Sequence, residues 1–597
     1  MQQETKTHST SSVRACQNCK LDFVIETEDF KFYEKMKVPV PTFCPDCRMQ
    51  RRMAFQVSRE LYRNVCGLCG KNIITQFAPE HNLKVYCNPC WWSDKWDGAE
   101  YAQDIDFSRP FLEQLKELYR ITPQMASETN YPTLINSEYV NHAGTAKNCY
   151  LIFFSDECEN ILYSEYMLHD KDSMDCTMFS FCELSYGTIA SGKCFRTFFS
   201  EDCENCFNMY FSKDCFGCSN CFGCMGLRNK QYHIFNQPYT KEEYEKKIQE
   251  FGVDSYKNLV ELKKQAHAFW LKYPHKFAHM LRNLNVTGEY VYESKNSKDM
   301  YDVSQGAEDS RFCQLLSMSG TKDAYDYSIW GNQAERIYEA MTVGEGAYNV
   351  MFSFSAWPNA RDVQYCMSTI SSSNCFGCAN VRKKEYCILN KQYTKEEYEV
   401  LVPKIIQHMN DMPYVDKKRR VYTYGEFFPS ELSVSGYNET YAADFIPLTR
   451  EQALEKGFSW FEAKPSTYVP TLKPDNIPDR IGDVGDLIVN EIIECASCKK
   501  AFKIVKAELD LLRRFGLPAP RMCPTCRYQE RWSRVNKPKL YSRECRCNGK
   551  NSHSGVYENT TAHFHGENKC PNIFQTAYAP DRPEIVYCEQ CYQAEVV

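Results

Sequence analysis

Cys16 and Cys19 form a CxxC knuckle, followed after 24 residues by Cys44 and Cys47; Cys66 and Cys69 are followed after 17 residues by Cys87 and Cys90. Each pair of knuckles supplies four thiolates, the donor set that tetrahedral Zn²⁺ takes in a closed structural site. Adding 479 to these numbers lands on Cys495, Cys498, Cys523, Cys526 and Cys545, and also on Pro518, Pro520, Pro524, Arg527, Arg531, Leu540 and Tyr541. The chain therefore ends with a second copy of its beginning. Past Cys545 the copy departs: Asn548 stands where Cys69 would map, Cys547 lies one position earlier, and about 22 extra residues precede Cys588 and Cys591. The fourth expected site is Cys545, Cys547, Cys588 and Cys591, with His553, His563, His565 and Cys570 of the insertion as further possible ligands. About four Zn²⁺ per chain are expected.

Closed four-cysteine sites leave no coordination position for water, and the chain carries no HExxH, GxSxG or P-loop motif. The reading is a non-enzymatic zinc-binding scaffold with basic ends that bind nucleic acid or protein. The alternative is a metal-dependent hydrolase or nuclease using His553, His563 and His565. The basic ends are the stretches between successive knuckles. From Arg513 to Lys550 eleven Lys or Arg stand against two acids, and from Arg48 to Lys71 six stand against Glu60 alone. A metal-fixed module would present such a stretch as a rigid surface with interleaved aromatics, suited to phosphate contact and base stacking. Arg48, Arg51, Arg52, Arg527, Arg531, Trp532 and Arg534 are the candidate contacts. The sign reverses between Lys147 and Cys224, where twelve acids stand against five bases.

The elements between the modules are short repeats. Phe154-Ser155-Asp156-Glu157-Cys158-Glu159-Asn160 returns at Phe199–Asn205 and again, 12 residues on, at Phe211–Gly217; Tyr301, Cys313, Tyr325 and Tyr338 continue a step of 12 to 13. A unit that short cannot bury its own apolar face and must stack on its neighbours. Its aromatic, Cys and small polar content suits strands and tight turns. The fold class expected is mainly β with α additions: two short-coil β-solenoid blocks with capping helices, flanked by the duplicated four-cysteine modules. The blocks are copies of each other at an offset of 154, which carries Cys221-Phe222-Gly223-Cys224 onto Cys375-Phe376-Gly377-Cys378 and Thr240 onto Thr394. Each of these threonines precedes a Glu by three residues, a capping box that starts a helix as the block ends. Cys215, Cys218, Cys221 and Cys224 resemble the start of a ferredoxin cluster signature. At the offset, however, Cys215 and Cys218 become Thr369 and Ser372, which keep the volume and would destroy ligation. The block cysteines are therefore read as small packing groups.

The organisation expected is a disordered tail at 1–12, an N-terminal double module at 13–100, and a helical connector at 101–141. A first repeat block follows at 142–226, a helical insert at 227–293, a second block at 294–379 and a capping helix at 380–412. An irregular segment with a Pro/Gly linker at 413–490 leads to the C-terminal double module at 491–597. Within these bounds 43% hydrophobic residues suffice for packed cores. No run of about 18 apolar residues suggests a membrane span, and the 33 cysteines, many of them in CxxC pairs, are expected reduced or metal-bound in the cytoplasm.

Cys16 to Arg48, with Phe23, the Phe30-Lys31-Phe32-Tyr33 run and the closing Cys44-Pro45-Asp46-Cys47-Arg48, resembles the zinc-ribbon family of treble-clef type. That resemblance implies zinc-ribbon modules at both ends. The wider arrangement resembles large uncharacterised proteins of candidate-phyla bacteria in which such ribbons flank Cys-rich repeats. It rests on Asp106-Phe107-Ser108-Arg109-Pro110-Phe111, Lys147-Asn148-Cys149-Tyr150 and Gly425-Glu426-Phe427-Phe428-Pro429 among others, and implies no particular activity.

Overall fold

Backbone geometry explains how so short a repeat folds. The computed structural model describes residues 11–464 and 467–596; residues 1–10 of the expected tail and 465–466 of the expected linker lie outside them. From Asn148 through Leu151, Phe154, Glu157 and Asn160 to Asn205 and Asn208, every third residue takes a left-handed conformation. Residues that follow such positions, among them Cys149, Ile152, Cys158, Ile161, Met167, Cys176, Cys182, Cys194, Cys203 and Met209, are buried. The chain thus turns at three-residue intervals and sends one side chain in three to the interior. Four such turns make the step of 12: Phe153 pairs in parallel with Glu165, Glu165 with Thr177 and Thr177 with Ile189. Phe195, Phe207, Ser219 and Gln231 continue at the same step. A left-handed L-residue costs about 1–2 kcal/mol, least for Asn, Asp and Gly. Side-chain ladders offset part of that cost. Asn136 donates to Asn148, Asn148 to Asn160 and Asn160 to Asp172.

The chain is mainly β, 31% strand against 24% helix, and divides into two compact units. One comprises Met1–Ser127 with Ala278–Glu462; the other comprises Glu128–Phe277 with Ala463–Val597. Each terminal module thus folds with the repeat block that is distant from it in sequence, the N-terminal module with the second block and the C-terminal module with the first.

In the first unit the parallel step is wider. Tyr301 pairs with Gln314, Gln314 with Ser328, Tyr325 with Tyr338 and Val350 with Val363, a register of 13 or 14, before Val363, Cys375 and Cys387 close to 12. The interior is correspondingly different. Val291, Ala324, Ile337, Val350 and Val363 fill the first unit's block, whereas cysteines dominate that of the second unit, with Ile152, Ile161 and Met209 among them.

Both blocks are followed by capped helices. Thr240 accepts the Glu243 N–H at the start of Lys241–Phe251, and Thr394 accepts that of Glu397 before Lys395–Asp411. The helix Tyr256–Trp270 buries Leu259, Leu262, Ala266 and Trp270. The stretch expected as a linker between Pro465 and Gly485 instead contributes Ile477, Ile481 and Val484 to the second unit's core, because Asp479 accepts the Ser255 hydroxyl and Arg480 pairs with Ser255 in a β-bridge, which ties it to the start of Tyr256–Trp270. No helix among the described residues is long and apolar enough to cross a membrane.

The block cysteines behave as packing groups. Cys182 and Cys194 point their Sγ atoms at the carbonyls of Ser180 and Gly192, 3.1 and 3.2 Å away, and among the described residues no block cysteine joins a metal-capable group. Cys215 and Cys218 are 1% exposed, as are their counterparts Thr369 and Ser372 at 0% and 2%. Exchanging Cys215→Thr and Cys218→Ser should therefore shift unfolding by no more than about 1–2 kcal/mol and leave the metal content unchanged. Loss of a metal equivalent in that variant would show that a ligand had been removed.

Candidate metal centres

In each module a short antiparallel hairpin presents the first two cysteines and a helix start presents the other two. Ser12–Ala15 pairs with Asp22–Ile25 around Cys16 and Cys19, and Tyr62–Val65 pairs with Asn72–Thr75 around Cys66 and Cys69. The knuckle closes by the Cys16 N–H donating to the Leu21 carbonyl, repeated at Cys66 to Lys71 and Cys495 to Lys500. Lys20, Gly70 and Lys499 take the left-handed turn that this closure needs. Cys44, Cys87 and Cys523 sit at the N-caps of Pro45–Met53, Asn88–Trp91 and Pro524–Trp532. A helix N-terminus favours thiolate, and Pro in the first turn costs no hydrogen bond.

The sulfur atoms converge. Cys16, Cys19, Cys44 and Cys47 lie together, as do Cys66, Cys69, Cys87 and Cys90, and Cys495, Cys498, Cys523 and Cys526, with the donor atoms of each group within 4.8 Å of one another. Four thiolates around a tetrahedral ion with bonds near 2.3 Å stand about 3.8 Å apart. The Sγ–Sγ separations are 3.7 Å for Cys19–Cys44, 3.9 Å for Cys69–Cys87 and 3.8 Å for Cys498–Cys523. The residues present fit a metal ion.

Backbone amides aim at the same sulfurs. The Cys44 N–H donates to Cys16 Sγ at 3.2 Å, Cys87 to Cys66 at 3.3 Å, Cys523 to Cys495 at 3.2 Å and Cys588 to Cys545 at 3.2 Å. Burial pushes the Cys66 thiol up, but the N–H groups of Cys69 and Cys87 outweigh it and bring it down to about 6. Cys495 comes down to about 6 against the same burial, through Cys523 and Cys498. Contact with Cys44 and then Cys47 lowers Cys16.

The fourth group differs from the sequence expectation. Cys545, Cys570, Cys588 and Cys591 come together, with Cys570 Sγ 3.9 Å from Cys588 and 3.7 Å from Cys591. Cys547 instead joins His563, His565 and Cys591. The hairpin explains the exchange. The Cys545 N–H donates to the Asn572 carbonyl, as Cys66 does to Lys71, so Cys570, two residues before Asn572, takes the place of Cys69. The extra residues are inserted inside the knuckle, between its two cysteines. A signal was present in the sequence: at an offset of 501, Cys69, Ala78, Pro79, Val85, Tyr86, Cys87 and Cys90 map onto Cys570, Ala579, Pro580, Val586, Tyr587, Cys588 and Cys591. His553 is exposed and joins neither group.

The residues expected to face nucleic acid do not form an exposed surface. Arg48, Arg51, Arg52, Arg527 and Arg531 are at most 6% exposed, and Trp532 is 4% exposed. Each packs against its own unit's repeat block. Arg48 Nε and Arg52 Nη1 take the two oxygens of Asp326 at 2.9 and 3.1 Å; Arg527 Nε and Arg531 Nη1 take those of Asp175 at 2.8 and 2.9 Å. Arg51 reaches Glu339 and Glu426 at 2.7 and 3.1 Å, Arg534 reaches Glu201 at 2.7 Å, and Trp532 stacks on Tyr166. The reason is helical spacing: residues i and i+4 of Pro45–Met53 and of Pro524–Trp532 share one face, and that face docks on an acidic corner of the block. Asp175 and Asp326 are themselves left-handed corner residues. The same clamp is built twice.

No protein-family model and no curated protein matches this chain.

Proposed function

We propose that the chain is a non-enzymatic scaffold in which zinc-held, treble-clef-like ribbons clamp two short-coil β-solenoids, and that it works in the cytoplasm on a protein partner. The observation that carries this reading is the duplicated clamp. The arginines and the tryptophan that could have read nucleic acid are occupied by the protein's own carboxylates and rings. Zinc is the ion of choice because every group consists of Cys or of Cys and His donor atoms that lie within 4.8 Å of one another. The hydrolase alternative lacks support from the ligand count: each group supplies four protein ligands, and a catalytic zinc keeps one position open. A protein partner also fits the exposed aromatic side chains Phe181 and Phe207 on the second unit's block, 51% and 48% exposed.

The test is an electrophoretic mobility titration of the zinc-loaded full chain with single-stranded and structured RNA and DNA at low salt. The expected result is no shift at about 10 μM protein. A shift that weakens steeply as salt rises would mean phosphate contacts and would overturn the choice of partner.

A further inference from the structure

We propose that the insertion in the last knuckle builds a second metal site that shares Cys591 with the first, giving one two-ion centre bridged by the Cys591 thiolate. The first ion takes Cys545, Cys570, Cys588 and Cys591; the second takes Cys547, His563, His565 and Cys591. Both sets of donor atoms lie within 4.8 Å of one another and both contain Cys591.

The histidines are held as ligands are held. His565 Nδ1 lies 2.7 Å from the Asn568 carbonyl, and His563 Nε2 lies 3.0 Å from Glu595 Oε1. A carbonyl and a carboxylate can only accept, so each ring carries its proton on that nitrogen and presents a lone pair from the other. His565 Nε2 is 3.4 Å from Cys591 Sγ, close to the roughly 3.6 Å separating sulfur and nitrogen ligands on one tetrahedral zinc ion. His563 Nδ1 is buried with no hydrogen-bond partner among the described residues, in a side chain that is 0% exposed. A buried imidazole nitrogen left unsatisfied is costly, and a metal ion would satisfy it.

The surroundings repeat the pattern. Glu595 is fixed by the N–H groups of Thr560 and Thr561 and by the Tyr557 hydroxyl, a carboxylate–histidine–metal arrangement of the kind that orients zinc ligands. Asn559 donates to Cys547 Sγ at 3.3 Å, as Asn572 does to Cys588 Sγ. Two divalent ions against five thiolates bring the centre close to neutrality, whereas one ion facing the same thiolates would leave a large buried negative charge. The N-terminal copy has neither insertion nor histidine ligands, and its counterpart holds one set of four cysteines.

The experiment is metal quantification of the full chain after zinc loading and desalting. The expected content is five ions, one per group, falling by one in a His563→Ala/His565→Ala variant. The ¹¹³Cd spectrum of the wild-type chain covers the case in which that variant does not fold. It should contain an all-sulfur and a sulfur–nitrogen resonance split by each other through the shared sulfur. Four ions in the wild type, an unchanged content in the variant, or the absence of a mutually split pair would each overturn the shared centre.

Discussion

Replacing Asp175 by Asn should destabilise the unit that contains it by about 3–5 kcal/mol, the usual consequence of removing one partner from a buried ion pair. Asn keeps the shape but not the charge, and it faces two guanidiniums. Arg527 retains Glu508 at 3.0 Å, whereas Arg531 keeps hydrogen bonds to the Tyr163 carbonyl and the Thr177 hydroxyl. The matching change Asp326→Asn should cost less, because Glu339 lies 3.2 Å from Arg52 and 3.8 Å from Arg48 and takes over part of the pairing. Burial pushes the Glu339 and Glu508 carboxyls up, and the facing guanidiniums offset only part of that rise, so these acids depend on the arginines in turn. Denaturant unfolding of the zinc-loaded chain, followed by hydrogen–deuterium exchange of the strands of each unit, measures both. A variant that removes the whole cluster, Asp175→Leu, Arg527→Met, Arg531→Met and Glu508→Gln, should lie nearer wild type than Asp175→Asn alone. Changes under about 1 kcal/mol at both aspartates would mean that the clamp contributes nothing measurable.

Much of this design was legible in the sequence, and the gaps have physical causes. Knuckle spacing located the first two cysteine groups, and the offset of 479 located the third because an ungapped duplication keeps ligand spacing. It misplaced the fourth because the insertion falls between the two cysteines of a knuckle, so that Cys547 sits near the expected position while Cys570, the true counterpart of Cys69, lies 23 residues further on. The recurring phrase revealed a step of 12 but not its division into four turns. The left-handed positions accept Tyr163, Phe181 and Lys193 as well as Asn148 and Asp172, which dilutes the composition signal that a turn usually leaves. The basic character of Arg48–Lys71 and the acidic character of the first block were both visible. Which acids the arginines meet was not, since the partners Arg52 and Asp326 are 274 residues apart and a single sequence carries no record of such pairings.

Metal removal should have the largest effect of all. A structural zinc site contributes on the order of 10 kcal/mol to folding, more than the whole net stability of most domains. Without the ion the hairpin around Cys16 and the helix Pro45–Met53 have little else to join them. That helix has nine residues, too few to persist in water unsupported. Once it frays, Arg48 and Arg52 leave Asp326; the same sequence of events follows in the other unit from Pro524–Trp532 to Asp175. Among the described residues of the repeat blocks none joins a metal-capable group, and the blocks are expected to keep their strands. Hydrogen–deuterium exchange of the full chain, with and without a strong chelator, reads all of this at once. Chelation should abolish protection in Pro45–Met53 and Pro524–Trp532, weaken it at the block corners around Asp326 and Asp175, and preserve it in the strands of Val350–Cys387 and Phe195–Phe222, away from those corners. Unchanged protection of the two arginine-bearing helices after elemental analysis has confirmed that the metal is gone would contradict the claim that metal ions hold the clamps in place.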